Sequence, residues 1–385
     1  MPDPVYLDHA ATTPVREEVL AAMQPFFGAR FGNPSSVHRW GREARTALDE
    51  ARERLARCMG AATDEVVFTS CGTEADNMAL LGVWRARAPE RRRAVVTTPI
   101  EHKAVLAAAH QIAKEGGDER LIAMQRGGLV DDRSFDALVT DDVAICSVMW
   151  VNNEIGVLQD VPALAARAKS RGVVFHTDAV QAFGKIEVDA RTTPFDVLTI
   201  SGHKIGAPKG IGALYIRRGT PIEPLMFGGT QDRGRRPGTE NVAMAVGLAR
   251  AAELAVAERV HECAKLERQR DRLEAALLAR IPDAVIHGRG GPRAPHITNV
   301  SVPGVDSESM LMALDLRGVA CSAGSACQSG SISPSHVLSA IGVSPDLASA
   351  AIRMSLGALT TDACIERVSE LFPALVEKAR RLTPA

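Results

Sequence analysis

Six short apolar runs, each ending in polar residues and most handing over to a helical stretch, constrain this chain more than any other feature. "EVVFTS" precedes "GTEADNMALLGVWRA", "RAVVTTP" precedes "EHKAVLAAAHQIAKEGG", and "VAICSVMWV" precedes a stretch ending in "LAARAKSRG"; then come "VVFHTDA", "FDVLTIS" and "GALYIRR". Continuously apolar runs of this length fit strands buried on both faces, and a crossover helix is what joins parallel neighbours. The cadence predicts an α/β domain built on a mostly parallel sheet. Only "GHKIGAPKGI" joins the last two runs, which breaks the cadence and predicts an antiparallel edge. Residues 241 to 281 carry a long helical signal that stops at Pro282, long enough to connect two domains. The mixed strand and helix pattern beyond it predicts a smaller α+β unit, as expected for 385 residues.

Charge and composition exclude several classes. A formal net charge of −1 argues against nucleic acid or an anionic membrane as partner. No apolar run reaches the roughly 18 residues of a spanning helix. The start, "MPDPVYLDHAATTP", lacks a basic and then apolar leader, so a cytoplasmic protein is expected. Seven cysteines without a CxxC pair read as reduced thiols, and the histidines lack metal-ligand spacing, so no metal is expected.

Ligands of open α/β sheets sit beyond the carboxyl ends of the strands. Those ends carry Cys71-Gly72-Thr73-Glu74, Glu101-His102-Lys103, Asn152-Asn153-Glu154, Asp178 with Gln181, and Ser201-Gly202-His203-Lys204. A lone aspartate at a strand end is often only a helix cap. Five ends in succession that each deliver polar or titratable groups favour a site. The turn before "EADNMALL" can cradle a phosphate on free N–H groups. Lys204 is one of eight lysines and the one placed like a functional group; a lysine with a depressed pKa can bind a carbonyl covalently. Phosphate cradle, lysine and carboxylate together describe a pyridoxal phosphate site.

The ordered motifs "YLDHAATTPV", "FGNPSSVH", "FTSCGTEADN", "EHKAV", "VNNEIGVLQD", "HTDAVQAFGK", "SGHKIGAPKGIGALYIRRG", "GRRPGTENV", "GSAC" and "IRMSLG" run from residue 6 to residue 357. In them the chain resembles the cysteine desulfurases of the NifS and IscS type, leaning towards NifS. The resemblance implies a fold-type I pyridoxal phosphate-dependent transferase: a large domain over 16–258 with a mostly parallel seven-stranded sheet, and a small domain from 1–15 and 259–385. It implies that Lys204 binds the cofactor's aldehyde, Asp178 faces its ring nitrogen, Gln181 its phenolic oxygen, and His102 stacks on the ring. Gly72, Thr73, Ser201 and His203 would hold the phosphate, with Thr239 reaching it from the other subunit of a homodimer with shared sites. Asn153 and Arg353 would orient cofactor and substrate carboxylate, a task suited to a planar guanidinium.

The stretch "VACSAGSACQSGSISPS" carries no apolar period. The resemblance makes Cys327 the nucleophile that takes sulfur from L-cysteine, leaving L-alanine, on a mobile loop at about 321–333. The persulfide would serve an iron–sulfur scaffold or another sulfur acceptor, and Cys327 could transiently ligate a cluster there. A thiol is only partly ionised at neutral pH, so His102 is expected to assist. Cys321, after "LRGVA", is expected to pack at a strand end. Gln328 and "SISPSH" depart from the family pattern at positions expected to carry no chemistry. Two alternatives remain beside this reading: a lyase or desulfinase acting on selenocysteine or cysteine sulfinate, which would not need Cys327, and a non-catalytic partner-binding scaffold, which would not need Lys204, Asp178 and His102.

Overall fold

The computed structural model describes residues 3–323 and 335–382. Cys327 and most of its loop lie outside the described residues. The main sheet has seven strands: β1 (Val66–Thr69), β2 (Ala94–Thr97), β3 (Asp118–Leu121), β4 (Val143–Ser147), β5 (Val174–Asp178), β6 (Val197–Ser201) and β7 (Gly212–Ile216). Their spatial order is β1-β7-β6-β5-β4-β2-β3. Only β7 runs against its neighbours; the other pairings are parallel. The antiparallel step expected around "GHKIGAPKGI" is present, but β7 is not an edge. It lies between β6 and β1, because β1 closes the sheet on its far side.

Alternation along the strands sorts two apolar faces. Val66 and Phe68 of β1, Leu198 and Ile200 of β6, and Ala213 and Tyr215 of β7 point into one cluster, completed by α1 (Arg39–Cys58) and the start of a long helix. Val67, Val197, Leu214 and Ile216 point the other way, against α2 (Gly72–Arg87) and α3 (Lys103–Lys114). With both faces covered, β4 to β7 are buried along their whole length. Leu198 is fully enclosed, and its truncation to alanine would cost about 2–5 kcal/mol.

Further along come α4 (Val161–Ser170) and α5 (Val242–Arg280), whose 39 residues span roughly 60 Å. Asn241 caps α5 through Met244 N–H, and Pro282 lies just beyond its end. Val242 to Ala252 on α5 pack on the sheet, while Leu266, Leu273 and Leu277 belong to a separate core. That second core gathers Val5 and Leu7 with β8 (Val285–Ile286), β9 (Ile297–Ser301), α6 (Ser307–Asp315), a later strand β10 (Ala351–Ser355) and a C-terminal helix beginning at Asp362. β10 pairs antiparallel with β9, and Asp8 bridges to Ser355, so the N-terminal segment is stitched to the C-terminal unit. Among the described residues, no helix is long and apolar enough to cross a membrane.

Candidate active site

Beyond the carboxyl ends of β1, β2, β4, β5 and β6 lies a cavity of about 350 Å³. β6 ends at Ser201, and a single helical turn, Gly202–Lys204, swings Lys204 over the opening. Gly202 is required by close approach: a Cβ there would fall 2.9 Å from Ile211 Cγ2 and 3.0 Å from Ala207 Cβ. Lys204 Nζ donates to the carbonyls of Ala10 and Ala11, each at 2.7 Å. Gln181 Nε2 donates to the same Ala10 carbonyl at 2.9 Å, so the N-terminal segment roofs the cavity.

Asp178 ends the neighbouring strand β5 and is almost wholly buried. Its Oδ1 accepts from Val180 N–H at 2.8 Å. Burial raises its carboxyl pKa, and the positive charges of His102 and Lys204 draw it back. A carboxylate in that setting is satisfied by a cation set against it.

At the end of β1 the chain turns into α2, with Cys71 as cap accepting from Glu74 N–H at 3.5 Å. Gly72 opens the helix; a Cβ on it would sit 3.1 Å from Val180 Cγ2 and narrow the cavity wall. Thr73 is exposed at the mouth, Ser201 is buried at the floor, and His203 meets Thr12 Oγ1 at 3.1 Å. Burial, helped by the charge of Lys204, pushes the His203 imidazole down to about 4, keeping it neutral at ordinary pH. An exposed helix start, two hydroxyls and an imidazole form an anion cradle.

His102 caps α3, its Nδ1 accepting from Ala104 N–H at 3.2 Å, and burial lowers its pKa. Arg353, in β10, is 3% exposed and reaches the cavity from the second core. Its Nη2 donates to Asp8 Oδ1 at 2.8 Å and its Nη1 to the Asn153 carbonyl at 3.0 Å, while Nε is buried without an acceptor. The arrangement presents a positive charge for a carboxylate.

The cavity therefore gathers Gly72, Thr73, His102, Asn153, Asp178, Gln181, Ser201, His203, Lys204 and Arg353. Thr239 is not among its lining: it is exposed, on a segment tied down by its own chain. Arg236 bonds Glu74 at 2.9 Å, and the buried pair Arg52–Asp232, at 2.6 Å, holds a turn in which Asp232 and Arg233 have positive φ. Cysteines 58, 71, 146, 263, 321 and 364 are free.

Several groups of the cavity escaped the sequence reading. Asp76 is buried with no hydrogen bond to Oδ1, which lies 3.7 Å from His176 Nε2, and burial together with nearby Asp178 pushes its carboxyl well above the usual range. Its signal was available, since it lies one helical turn after Gly72 and so on the same face. His176, behind it, bonds Ser147 Oγ at 2.8 Å and Thr199 Oγ1 at 3.0 Å, and burial pushes it down to about 3. His336 also lines the cavity, together with Glu154 from the strand end named above.

A pyridoxal phosphate fits these residues on their own geometry: an anion cradle on one side, an enclosed carboxylate on the other, and a lysine ammonium between them. The class-V aminotransferase family model matches residues 5–368. The chain is 45% identical to the cysteine desulfurase of Trichormus azollae over 380 residues, 99% of this chain and 94% of that protein. It is 44% identical to the cysteine desulfurase NifS of Azotobacter vinelandii, over 99% of this chain and 94% of that one. A solved structure described as a NifS-like protein superimposes with a TM-score of 0.91 at 34% identity, covering 97% of this chain and 100% of that chain. The chain belongs to the class-V aminotransferases, and within them to the cysteine desulfurases of the NifS and IscS type.

Proposed function

We propose that the protein is a pyridoxal phosphate-dependent cysteine desulfurase, converting L-cysteine to L-alanine and passing the sulfur to its own Cys327. The observation that carries this reading is the meeting of Lys204, Asp178 and Arg353 on one cavity: an amine from the turn after β6, a buried carboxylate from β5 and a guanidinium from β10. Bound pyridoxal phosphate would supply an electron sink for the α-carbon of the amino acid. Asp178 would face its ring nitrogen, Gln181 Nε2 its phenolic oxygen and His102 its ring, and Gly72, Thr73, Ser201 and His203 would hold its phosphate. Lys204 Nζ would bind its aldehyde carbon and later, as a free amine, take the proton of the substrate's α-carbon. Arg353 and Asn153 would hold the substrate carboxylate and so fix which bond faces the sink.

Cys327 would act as a thiolate. Its sulfur attacks the substrate's sulfur, the substrate's carbon–sulfur bond breaks with its electron pair left on carbon, and a persulfide forms on Cys327. The carbon takes up a proton and alanine leaves. An iron–sulfur scaffold or another sulfur acceptor would then collect the sulfur, with Cys327 able to ligate a cluster in passing, in the cytoplasm. The two cores that share α5 support a division into a large domain over 16–258 and a small one from 1–15 and 259–385.

A homodimer with shared sites belongs to the same proposal. Thr239 stands exposed on its anchored segment, and Phe31 and Phe227 expose 70% and 87% of their surface. Apolar groups so exposed favour a second subunit, from which Thr239 would reach the phosphate. The test is to measure alanine and sulfide formed from L-cysteine, with and without a thiol reductant. Equal alanine and sulfide in the presence of reductant, with a single turnover in its absence, is expected. Sulfide without alanine, or turnover of cysteine sulfinate alone, would overturn the reading.

A further inference from the structure

His336 opens α7 (His336–Ala340) and lines the same cavity as Lys204 and Arg353. Its Nε2 lies 2.9 Å from the backbone carbonyl oxygen of Glu101. A carbonyl can only accept, so Nε2 carries the hydrogen and the neutral ring is left with a bare Nδ1. The anchor is well held. Glu101 Oε1 accepts from Thr98 Oγ1 and Met149 N–H, both at 2.8 Å, and Ser335, next to the histidine, donates to buried Glu154.

His102 is wired in the opposite sense. Its Nδ1 accepts from Ala104 N–H, so in the neutral ring the hydrogen sits on Nε2 and that edge is a donor. Both imidazoles line the one cavity, and a charge on His336 would lower the pKa of His102. Several other groups of the cavity are already engaged or neutral. Lys204 Nζ donates to two carbonyls, Glu154 Oε2 is engaged by Ser335, and Asp76 is a buried carboxyl in which burial favours the neutral form.

An amino acid enters as a zwitterion, and its α-ammonium has no lone pair until it loses a proton. We propose that His336 Nδ1 accepts that proton, leaving a neutral substrate amine and an imidazolium still anchored through Nε2–H on Glu101. Charge and protons balance: one ammonium and one imidazole become one amine and one imidazolium. The inference rests on the reading of this cavity as an amino-acid site, and it gives "SISPSH" a chemical part.

Two measurements test it. In cofactor-free protein labelled with ¹⁵N-histidine, the resonances lost in His336→Gln should report a protonated Nε2 and a bare Nδ1; a hydrogen on Nδ1 would overturn the inference. His336→Asn supplies the same assignment if the first variant misfolds. In stopped-flow absorbance of the cofactor-loaded protein, His336→Gln should slow the response to L-alanine, which has no thiol, by about 100-fold at unchanged cofactor content. Gln keeps a donor for the Glu101 carbonyl but cannot take the proton. A rate within about threefold of the wild type, or slowing seen with L-cysteine alone, would overturn the role while leaving the proposed function intact. A wild-type protein that ignores both amino acids would sink the function itself, and this inference with it.

Discussion

Arg353→Lys separates charge from geometry at the substrate end of the cavity. The strand β10 holds Arg353 between Asn299 of β9 and Ser322, with backbone hydrogen bonds to Ser322 at 2.7 and 3.1 Å, so the backbone position is secure. The guanidinium joins Asp8 and the Asn153 carbonyl and borders the cavity, while its Nε–H is buried without an acceptor. A lysine ammonium keeps the charge but cannot span these partners and a carboxylate together. The loss amounts to one or two charge-assisted hydrogen bonds at about 1.5–3 kcal/mol each. Taking about 2–3 kcal/mol, kcat/KM for L-cysteine should fall roughly 30- to 150-fold, mostly through KM. The stability cost should be smaller, about 1 kcal/mol, because the Asp8 side chain is 20% exposed and water replaces its partner. Steady-state alanine production measures the first quantity and denaturant unfolding the second. A change in kcat/KM below about threefold, or a loss of bound cofactor as large as the kinetic loss, would refute the assignment.

Cys327→Ala should abolish sulfide release with cofactor binding intact, and mass spectrometry after brief exposure to L-cysteine should place one extra sulfur on the Cys327 peptide. Cys321 packs against the second core and burial pushes its thiol up to about 12, so Cys321→Ala should keep most activity and cost at most ~1 kcal/mol; sulfur found on Cys321 would reverse the assignment. Mixing Thr239→Ala chains with Lys204→Ala chains should restore about half of wild-type activity per heterodimer, one site carrying both lesions and the other neither; no recovery after verified exchange would count against shared sites. Burial pushes the Glu101 carboxyl up to about 8, above the unfolded value of about 4.3, so the folded state holds the extra proton between them. That contribution is full below about pH 4 and is lost as pH rises towards about 8, at up to about 1.4 kcal/mol per unit. Glu101→Gln should therefore gain on cofactor-free wild type as pH rises through that window in denaturant unfolding; parallel pH profiles would contradict it.

The strands that are buried on both faces were legible because their pattern is continuous: β1, β2, β4, β5, β6 and β7 all fall on quoted apolar runs. β3 was not among those runs. Its residues, Asp118 to Leu121, lie at the outer edge with side chains exposed or half-buried, so nothing selects an apolar pattern there. β7 was misplaced at an edge because local connection length speaks to direction and says nothing of a strand arriving from far along the chain. In the cavity, residues on strand ends were visible as breaks from apolar to polar. Asp76 hid inside a helix, and His336 hid beyond a Gly/Ser-rich stretch, where only the Glu101 carbonyl reveals its orientation. The roof over Lys204 is made by backbone carbonyls of Ala10 and Ala11, which leave no side-chain signature at all.

Borohydride reduction of the cofactor-loaded protein, followed by peptide mapping, tests the account at its centre. Lys103 and Lys204 both line the cavity, and Lys204 is the one at the end of β6, beside the β5 strand that ends in Asp178. Pyridoxyl label is expected on the peptide containing Lys204, lost in Lys204→Ala while non-covalent cofactor remains bound. Label on Lys103, Lys185 or Lys209, or none on any lysine, would contradict it.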